Sequence, residues 1–95
     1  MKKIKQKVYK CKMNKNLIFT GVQTMNDGEI QIFVNNKFLM YVDLDNFGYD
    51  YESPFENKFK EICDIICYDL FTGDEMFNII EYADEGALRE IKENY

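Results

Sequence analysis

Two cysteines separated by three residues are the first feature of the sequence that could do chemistry. Cys63 and Cys67 would lie about one turn apart on a helix. Two thiols at this separation could bind a metal ion together or form a redox pair. A structural zinc ion takes four ligands, and Cys11 is the one further thiol in the chain. Free cysteine also packs in cores as a small hydrophobic side chain. Both thiols lie on an apolar helical stripe, so we expect core cysteines and neither a metal nor a cofactor.

The segment 43–54 partly matches a calcium-binding loop. Asp43, Asp45 and Gly48 fall at positions one, three and six of an EF-hand pattern. Phe47 stands at position five, which needs an oxygen ligand, and Pro54 replaces the bidentate Glu of position twelve. The segment also follows a strand pattern, whereas an EF-hand loop follows a helix. We interpret it as a polar strand exit with a turn at Gly48.

The chain contains no histidine, which removes the usual general base near neutral pH. Ser–His and Cys–His nucleophile pairs are therefore excluded. Ser53 is the one serine and is explained as a helix cap, while the five glycines are too scattered for a phosphate loop. We predict a protein that is not an enzyme. A small enzyme using paired carboxylates, such as Asp43 and Asp45, is the alternative.

Carboxylates and tyrosines are the candidate partner-binding groups. Tyrosine supplies large amphipathic contact area, and carboxylates can meet a basic surface, although the same rings could pack on the sheet edge. Between Lys60 and Arg89 there are eight acids and no base. A solvated face, with some acids favoured at helix N-termini, would explain part of this run, and an acidic face opposing a basic groove would explain the absence of any base. The candidate partner-binding residues are Asp43, Asp45, Tyr49, Asp50, Tyr51, Glu52, Asp64, Asp69, Asp74 and Glu75.

Charge is divided along the chain. Residues 1–40 carry a net charge of +6, residues 41–95 carry −11, and the whole chain carries −5. The early lysines alternate along a predicted edge strand, where lysine blocks edge-to-edge pairing. An odd cysteine count fits a reducing compartment, and no stretch approaches the roughly 20 apolar residues of a membrane span. We expect a cytoplasmic protein.

Residues 3–45 predict a four-stranded antiparallel meander. Alternating apolar residues in 29–34 are typical of a half-buried strand, and Asn26-Asp27-Gly28 and Asn35-Asn36 are turn signals. The opening strand alternates irregularly, and a bulge near Val8 would reconcile its two halves. The last strand is predicted to place Phe38, Met40, Val42 and Leu44 on one face.

Helices are predicted at about 54–71 and 74–94, the second being split by Gly86 and the Ala83-Asp84-Glu85 step. Ser53-Pro54-Phe55-Glu56 and Thr72-Gly73-Asp74-Glu75 have the composition of helix starts. Strands followed by helices predict an α+β fold in one domain, 1–95, with the helices on one sheet face. The first helix has an apolar stripe of Phe55, Phe59, Ile62, Cys63, Ile66, Cys67 and Leu70, with Asp64 and Asp69 opposite.

The segment Ile30-Gln31-Ile32-Phe33-Val34-Asn35-Asn36, followed by a strand, an acidic loop and a helix, resembles inhibitors that occupy the DNA-binding groove of Cas9. In its small size, AT-rich coding, acidity and lack of a catalytic set, the chain resembles viral anti-CRISPR proteins and related anti-defence inhibitors. A uniformly acidic DNA mimic would lack the basic amino-terminal strand found here.

The resemblance implies a phage inhibitor that is not an enzyme and that presents an acidic, nucleic-acid-mimicking surface to a basic protein groove. Its partner would be a nuclease, another defence effector or a toxin. No direct contact with nucleic acid or a membrane is implied, and the protein would be a monomer or dimer. An immunity protein or antitoxin that neutralises a bacterial toxin is the alternative.

Overall fold

The computed structural model describes residues 6–24, 29–44, 55–73 and 79–95 of the chain. Within these ranges, four strands form one antiparallel sheet in the order of the sequence. Two helices and a short 3₁₀ turn follow, which confirms the predicted α+β arrangement. The strands are β1 (Gln6–Asn14), β2 (Leu17–Thr24), β3 (Glu29–Val34) and β4 (Lys37–Asp43). The helices are α1 (Phe55–Thr72) and α2 (Glu85–Asn94), with the 3₁₀ turn at Ile79–Tyr82 between them.

The turn between β3 and β4 is formed by two asparagines in the left-handed region. Asn35 has a φ of 47° and Asn36 a φ of 68°, which confirms the predicted tight turn. The Asn35 Oδ1 accepts a hydrogen bond from the Ile18 N–H at 2.9 Å, and its Nδ2 donates to the Asn16 carbonyl at 2.8 Å. Asn35 therefore joins two neighbouring hairpins. The predicted turn at 26–28 lies outside the described residues.

The two helices cover one face of the sheet, which we call the inner face. Its apolar side chains from β2 and β3 have no exposed surface, as in Phe19, Ile30 and Ile32. Tyr9 of β1 packs against Phe55 of α1 with ring centroids 4.5 Å apart. The same layer buries Phe59, Ile62 and Ile66 of α1 and Ala87 and Ile91 of α2, forming one continuous core.

The two irregular strands differ in detail from the prediction. Val8 is 57% exposed, and β1 shifts register between Lys12 and Asn14 instead of near Val8. In β4 the register shifts opposite Ile32 and Phe33, so Leu39 is the extra residue. As a result Leu39 and Met40 are both buried, while Phe38 turns outward and is 38% exposed.

The helix ends were only partly predicted. Thr72 is not an N-cap, because it ends α1 and its hydroxyl donates to the Tyr68 carbonyl at 2.7 Å. Gly73 follows with a φ of 70°, a conformation that glycine adopts without steric cost at the end of a helix. The predicted split of the second helix is confirmed, and Asp84 caps α2 by accepting from the Ala87 N–H at 3.0 Å. The predicted cap at Ser53 lies outside the described residues.

Candidate functional site

Three of the ten predicted partner-binding residues lie in the described part of the chain: Asp43, Asp64 and Asp69. Asp43 ends β4 between the buried residues Val42 and Leu44, so its side chain points to the sheet face away from the helices. Asp64 is exposed on α1, which covers the opposite face. The residues that lie outside the described ranges are Asp45, Tyr49, Asp50, Tyr51, Glu52, Asp74 and Glu75.

Asp69 is buried, and its predicted place on an exposed acidic face is wrong. Its residue surface is only 2% exposed. Asp69 follows Ile62 by seven residues, which is about two turns of an α-helix. It therefore lies on the same side of α1 as the fully buried Ile62. Asp69 therefore cannot offer its carboxylate to a partner without a rearrangement of α1.

Acidic side chains outnumber basic ones on the helical side of the molecule, meaning residues 55–73 and 79–95. Eight acids and four bases are at least partly exposed there. The acids are Glu56, Glu61, Asp64, Glu81, Asp84, Glu85, Glu90 and Glu93. The bases are Lys58, Lys60, Arg89 and Lys92.

Ion pairing neutralises part of this surface. Within the described residues, Lys58 lies 3.0 Å from Glu61 and Lys60 lies 3.7 Å from Asp64, both pairs being on α1. Exposed pairs of this kind contribute little stability, roughly 0–1 kcal/mol. The acids Glu81, Glu85 and Glu93 form no ion pair with another described residue.

The amino-terminal lysines do not neutralise the helical acids. Lys7, Lys10 and Lys12 are exposed on β1, and Lys15 is exposed in the turn that follows. Among the described residues, none of these four forms an ion pair with a helical carboxylate. In the part of the chain that the structure describes, the helical carboxylates form ion pairs with Lys37, Lys58 and Lys60 and with no lysine of β1.

The sheet face away from the helices carries an aromatic cluster that the sequence reasoning missed. We call this surface the outer face. Phe33 contacts Phe38 with centroids 5.6 Å apart, and Phe38 contacts Tyr41 at 5.0 Å. Tyr41 and Val8 are each 57% exposed. In the sequence, apolar residues occur at both odd and even positions of β3 and β4, although an antiparallel sheet commonly has one polar face. This pattern could have indicated the cluster.

The three thiols are packed and protonated. Cys63 and Cys67 are buried, which confirms the predicted core role of this pair. Burial raises the pKa of the Cys67 thiol to about 11 and raises the pKa of Cys63 further still. Burial also raises the pKa of Cys11, whose Sγ donates a hydrogen bond to the Met13 Sδ at 3.6 Å. The thiolate is the nucleophile and the metal ligand, so these groups are poorly prepared for either role.

Within the described ranges, no cluster of three or more acidic, cysteine or histidine side chains has the geometry to hold a metal ion. No helix in those ranges has both the length and the apolar character needed to cross a membrane. No protein-family model, curated protein or solved structure matches this chain.

Proposed function

We propose that this protein is a non-enzymatic inhibitor that binds another protein through the acidic helical side of the molecule. The partner has a basic surface that normally binds nucleic acid, as in a nuclease or another defence effector. The observation that carries the proposal is the excess of exposed acids over bases on the helical side, uncompensated by the lysines of β1. Such a surface attracts a cationic groove and speeds encounter with it.

The exposed strip of α1 supplies the first part of this surface. Glu61, Asp64 and Tyr68 follow one another at helical spacing, so they lie on one side of the helix, away from the core. Carboxylates at this spacing can replace phosphates against lysine or arginine side chains of the partner. The Tyr68 ring, 47% exposed, adds apolar contact area beside them.

Glu81, Glu85 and Glu93 supply the second part, from the 3₁₀ turn and α2. These three are exposed and are not matched by ion pairs within the described residues. Asp69 is left out of the proposed surface because it is buried. Asp43 is left out because it belongs to the outer face of the sheet.

A role without catalysis is supported by the residues that the chain offers. It has no histidine to act as a general base near neutral pH. Burial holds the pKa of the Cys67 thiol at about 11 and raises the pKa of Cys11 as well, so thiolate chemistry is disfavoured. Binding through charge and shape needs neither group.

A competition assay tests the proposal directly. Labelled DNA or guide RNA is bound to each of a panel of phage-defence nucleases, including a Cas9, and displacement by the protein is followed by fluorescence anisotropy. We expect at least one nuclease to release its nucleic acid. The inhibition constant should weaken by about tenfold or more between low and physiological salt, because charges separated by more than about 8–10 Å are screened there.

Matched variants locate the binding surface. Glu56→Gln, Glu61→Gln and Asp64→Asn together should weaken inhibition, and Glu81→Gln, Glu85→Gln and Glu93→Gln together should do the same. Lys58 and Lys60 stay in place in both. As a control, Glu29→Gln with Asp43→Asn removes acids from the sheet side and should leave inhibition unchanged. Equal inhibition by all three variants, or no displacement from any nuclease at saturating protein, would show that the proposal is wrong.

A further inference from the structure

We propose that the outer face of the sheet binds a second copy of this chain, forming a twofold dimer in which two sheets pack face to face. This interface is separate from the acidic helical side that carries the proposed inhibition. The observations behind it are the exposed apolar side chains of the outer face and the opposite charges at two of its corners.

The two middle rows of the outer face are mostly apolar and aromatic, and their most exposed apolar side chains lie on the edge strands β1 and β4. The register aligns Val8, Val22, Gln31 and Tyr41 in one row across the four strands. The adjacent row runs through Lys10, Thr20, Phe33 and Phe38. Val8, Phe38 and Tyr41 are substantially exposed on this face, whereas the helices cover the inner face. Protein–protein interfaces bury apolar side chains within a polar rim, and these two rows would supply the apolar part.

The charges of this face lie at diagonally opposite corners. Lys10 and Lys12 lie on β1, with Lys12 paired to Ile18 near the β1–β2 turn. Glu29 and Asp43 pair with each other at the far ends of β3 and β4. These four side chains are exposed, and Asp43 also has an interaction of its own within the chain. One corner is therefore basic and the opposite corner is acidic.

This layout is complementary to itself under a twofold rotation. An axis along the other diagonal of the sheet, through the apolar side chains from Val8 to Phe38, exchanges the two charged corners. The basic corner of one copy then lies over the acidic corner of the other, twice in each dimer, while the apolar rows meet. A twofold interface requires this reciprocal matching, in which each patch contacts its counterpart. The strands of the two sheets would cross steeply, nearer the orthogonal than the aligned class of packing.

The size of the face sets the expected strength of the dimer. Four strands about 4.8 Å apart and about six residues long cover roughly 400 Å² of projected area in each copy. The summed area of the two faces is below the roughly 1,200 Å² that standard stable interfaces bury. We therefore expect dissociation on dilution, with a Kd on the order of micromolar.

Sedimentation equilibrium or light scattering on the full chain tests the dimer. The wild-type protein should approach twice its monomer mass at about 100 µM and should lose mass on dilution, as a Kd on the order of micromolar requires. Association should weaken several-fold between low and physiological salt, because the corner charges contribute to it. Tyr41→Ser should reduce dimerisation while changing the thermal midpoint of the monomer little, since this ring is 57% exposed.

A charge exchange gives the sharpest test. Lys10→Glu with Lys12→Glu makes both corners acidic, and Glu29→Lys with Asp43→Lys makes both corners basic. Each double variant should be monomeric alone, because like charges would meet at both corners. An equimolar mixture of the two should form a heterodimer. Arg89→Glu with Lys92→Glu on α2 is the matched control, since it makes the same change of net charge away from the face and should dimerise like the wild type.

Three results would overturn the proposal. The first is a wild-type protein that stays monomeric at about 500 µM, far above a micromolar Kd. The second is a mixture of the two charge variants that fails to associate although each variant is folded. The third is a monomeric wild type whose outer face instead binds labelled oligo(dT) or oligo(U) in a manner dependent on Tyr41 and Lys10, which would identify a nucleic-acid surface.

Discussion

Gly21 of β2 lies directly against the Phe59 ring of α1. A Cβ at position 21 would stand 2.7 Å from the Phe59 Cε1 and 2.7 Å from the Ile30 Cδ1. Glycine at this position therefore sets how closely the first helix approaches the sheet. We expect Gly21→Ala to destabilise the protein by about 1–3 kcal/mol through overpacking. Urea unfolding followed by circular dichroism measures the change.

A double-mutant cycle separates overpacking from a general loss of stability at β2. Phe59→Leu removes the part of the ring that the new Cβ would meet. If the steric contact is the cause, Gly21→Ala should cost clearly less in the Phe59→Leu background than in the wild type. Equal costs in the two backgrounds would mean that the Phe59 ring is not the cause and that the contact with Ile30, whose Cδ1 would stand equally close, dominates.

A single substitution in the turn between β3 and β4 should stabilise the protein. Asn36 has a φ of 68°, a region that asparagine tolerates and that glycine adopts without steric cost. We expect Asn36→Gly to raise the stability by about 0.5–1 kcal/mol and Asn36→Ala to lower it by a similar amount. Thermal unfolding of the two variants checks both signs. Because the Asn36 side chain is exposed, a large loss in Asn36→Gly would show that the side chain has contacts of its own.

The order of elements could be predicted because each follows from local spacing. The alternation in 29–34 and the apolar stripe from Phe55 to Cys67 both appear in the structure as predicted. The positions of bulges could not be predicted in this way. The extra residue Leu39 and the exposed Val8 depend on which neighbour each strand pairs with, and that pairing is not a property of one strand alone.

The candidate site was less predictable than the fold. Asp69 was assigned to the polar side of α1 from its charge, although its spacing of seven residues from Ile62 places it on the buried side. The aromatic cluster of the outer face was missed because Phe33, Phe38 and Tyr41 come from two strands and meet only through the register. The division of charge between the two halves of the chain is a property of the sequence itself, although Lys37 of the first half pairs with Glu90 of the second in the structure.

A network centred on Glu90 joins α2 to the turn between β3 and β4. Its carboxylate accepts from the Lys37 Nζ at 2.8 Å, the Asn35 Nδ2 at 3.0 Å and the Asn94 Nδ2 at 2.8 Å. The hydrogen bonds from Lys37 and Asn35 lower the pKa of Glu90 below its usual value. Such a group stabilises the fold fully above its unfolded pKa of about 4.3, and this stabilisation is lost as the pH falls through the lower folded pKa.

We therefore expect Glu90→Gln to lower the thermal midpoint at neutral pH and to differ less from the wild type as the pH falls below about 4. Thermal unfolding at a series of pH values between about 3 and 7 measures this convergence. Glu93→Gln on the same helix removes the same charge without removing a hydrogen bond of the network and serves as the control. A gap between wild type and Glu90→Gln that stays constant down to the lowest pH would contradict the role of the ionised carboxylate.

The three cysteines should react in an order set by burial. Cys11 is partly exposed on β1, whereas Cys63 is fully buried and Cys67 nearly so. Since the pKa of Cys67 is raised to about 11, only about one molecule in a thousand carries its thiolate at pH 8. We expect iodoacetamide to label Cys11 first in the native protein, and Cys63 and Cys67 only when urea unfolds it. Peptide mapping by mass spectrometry assigns each site, and Cys11→Ser should abolish most native labelling. Native labelling of Cys63 as fast as that of Cys11 would mean that α1 is not packed on β1, which would remove the scaffold on which both proposed surfaces depend.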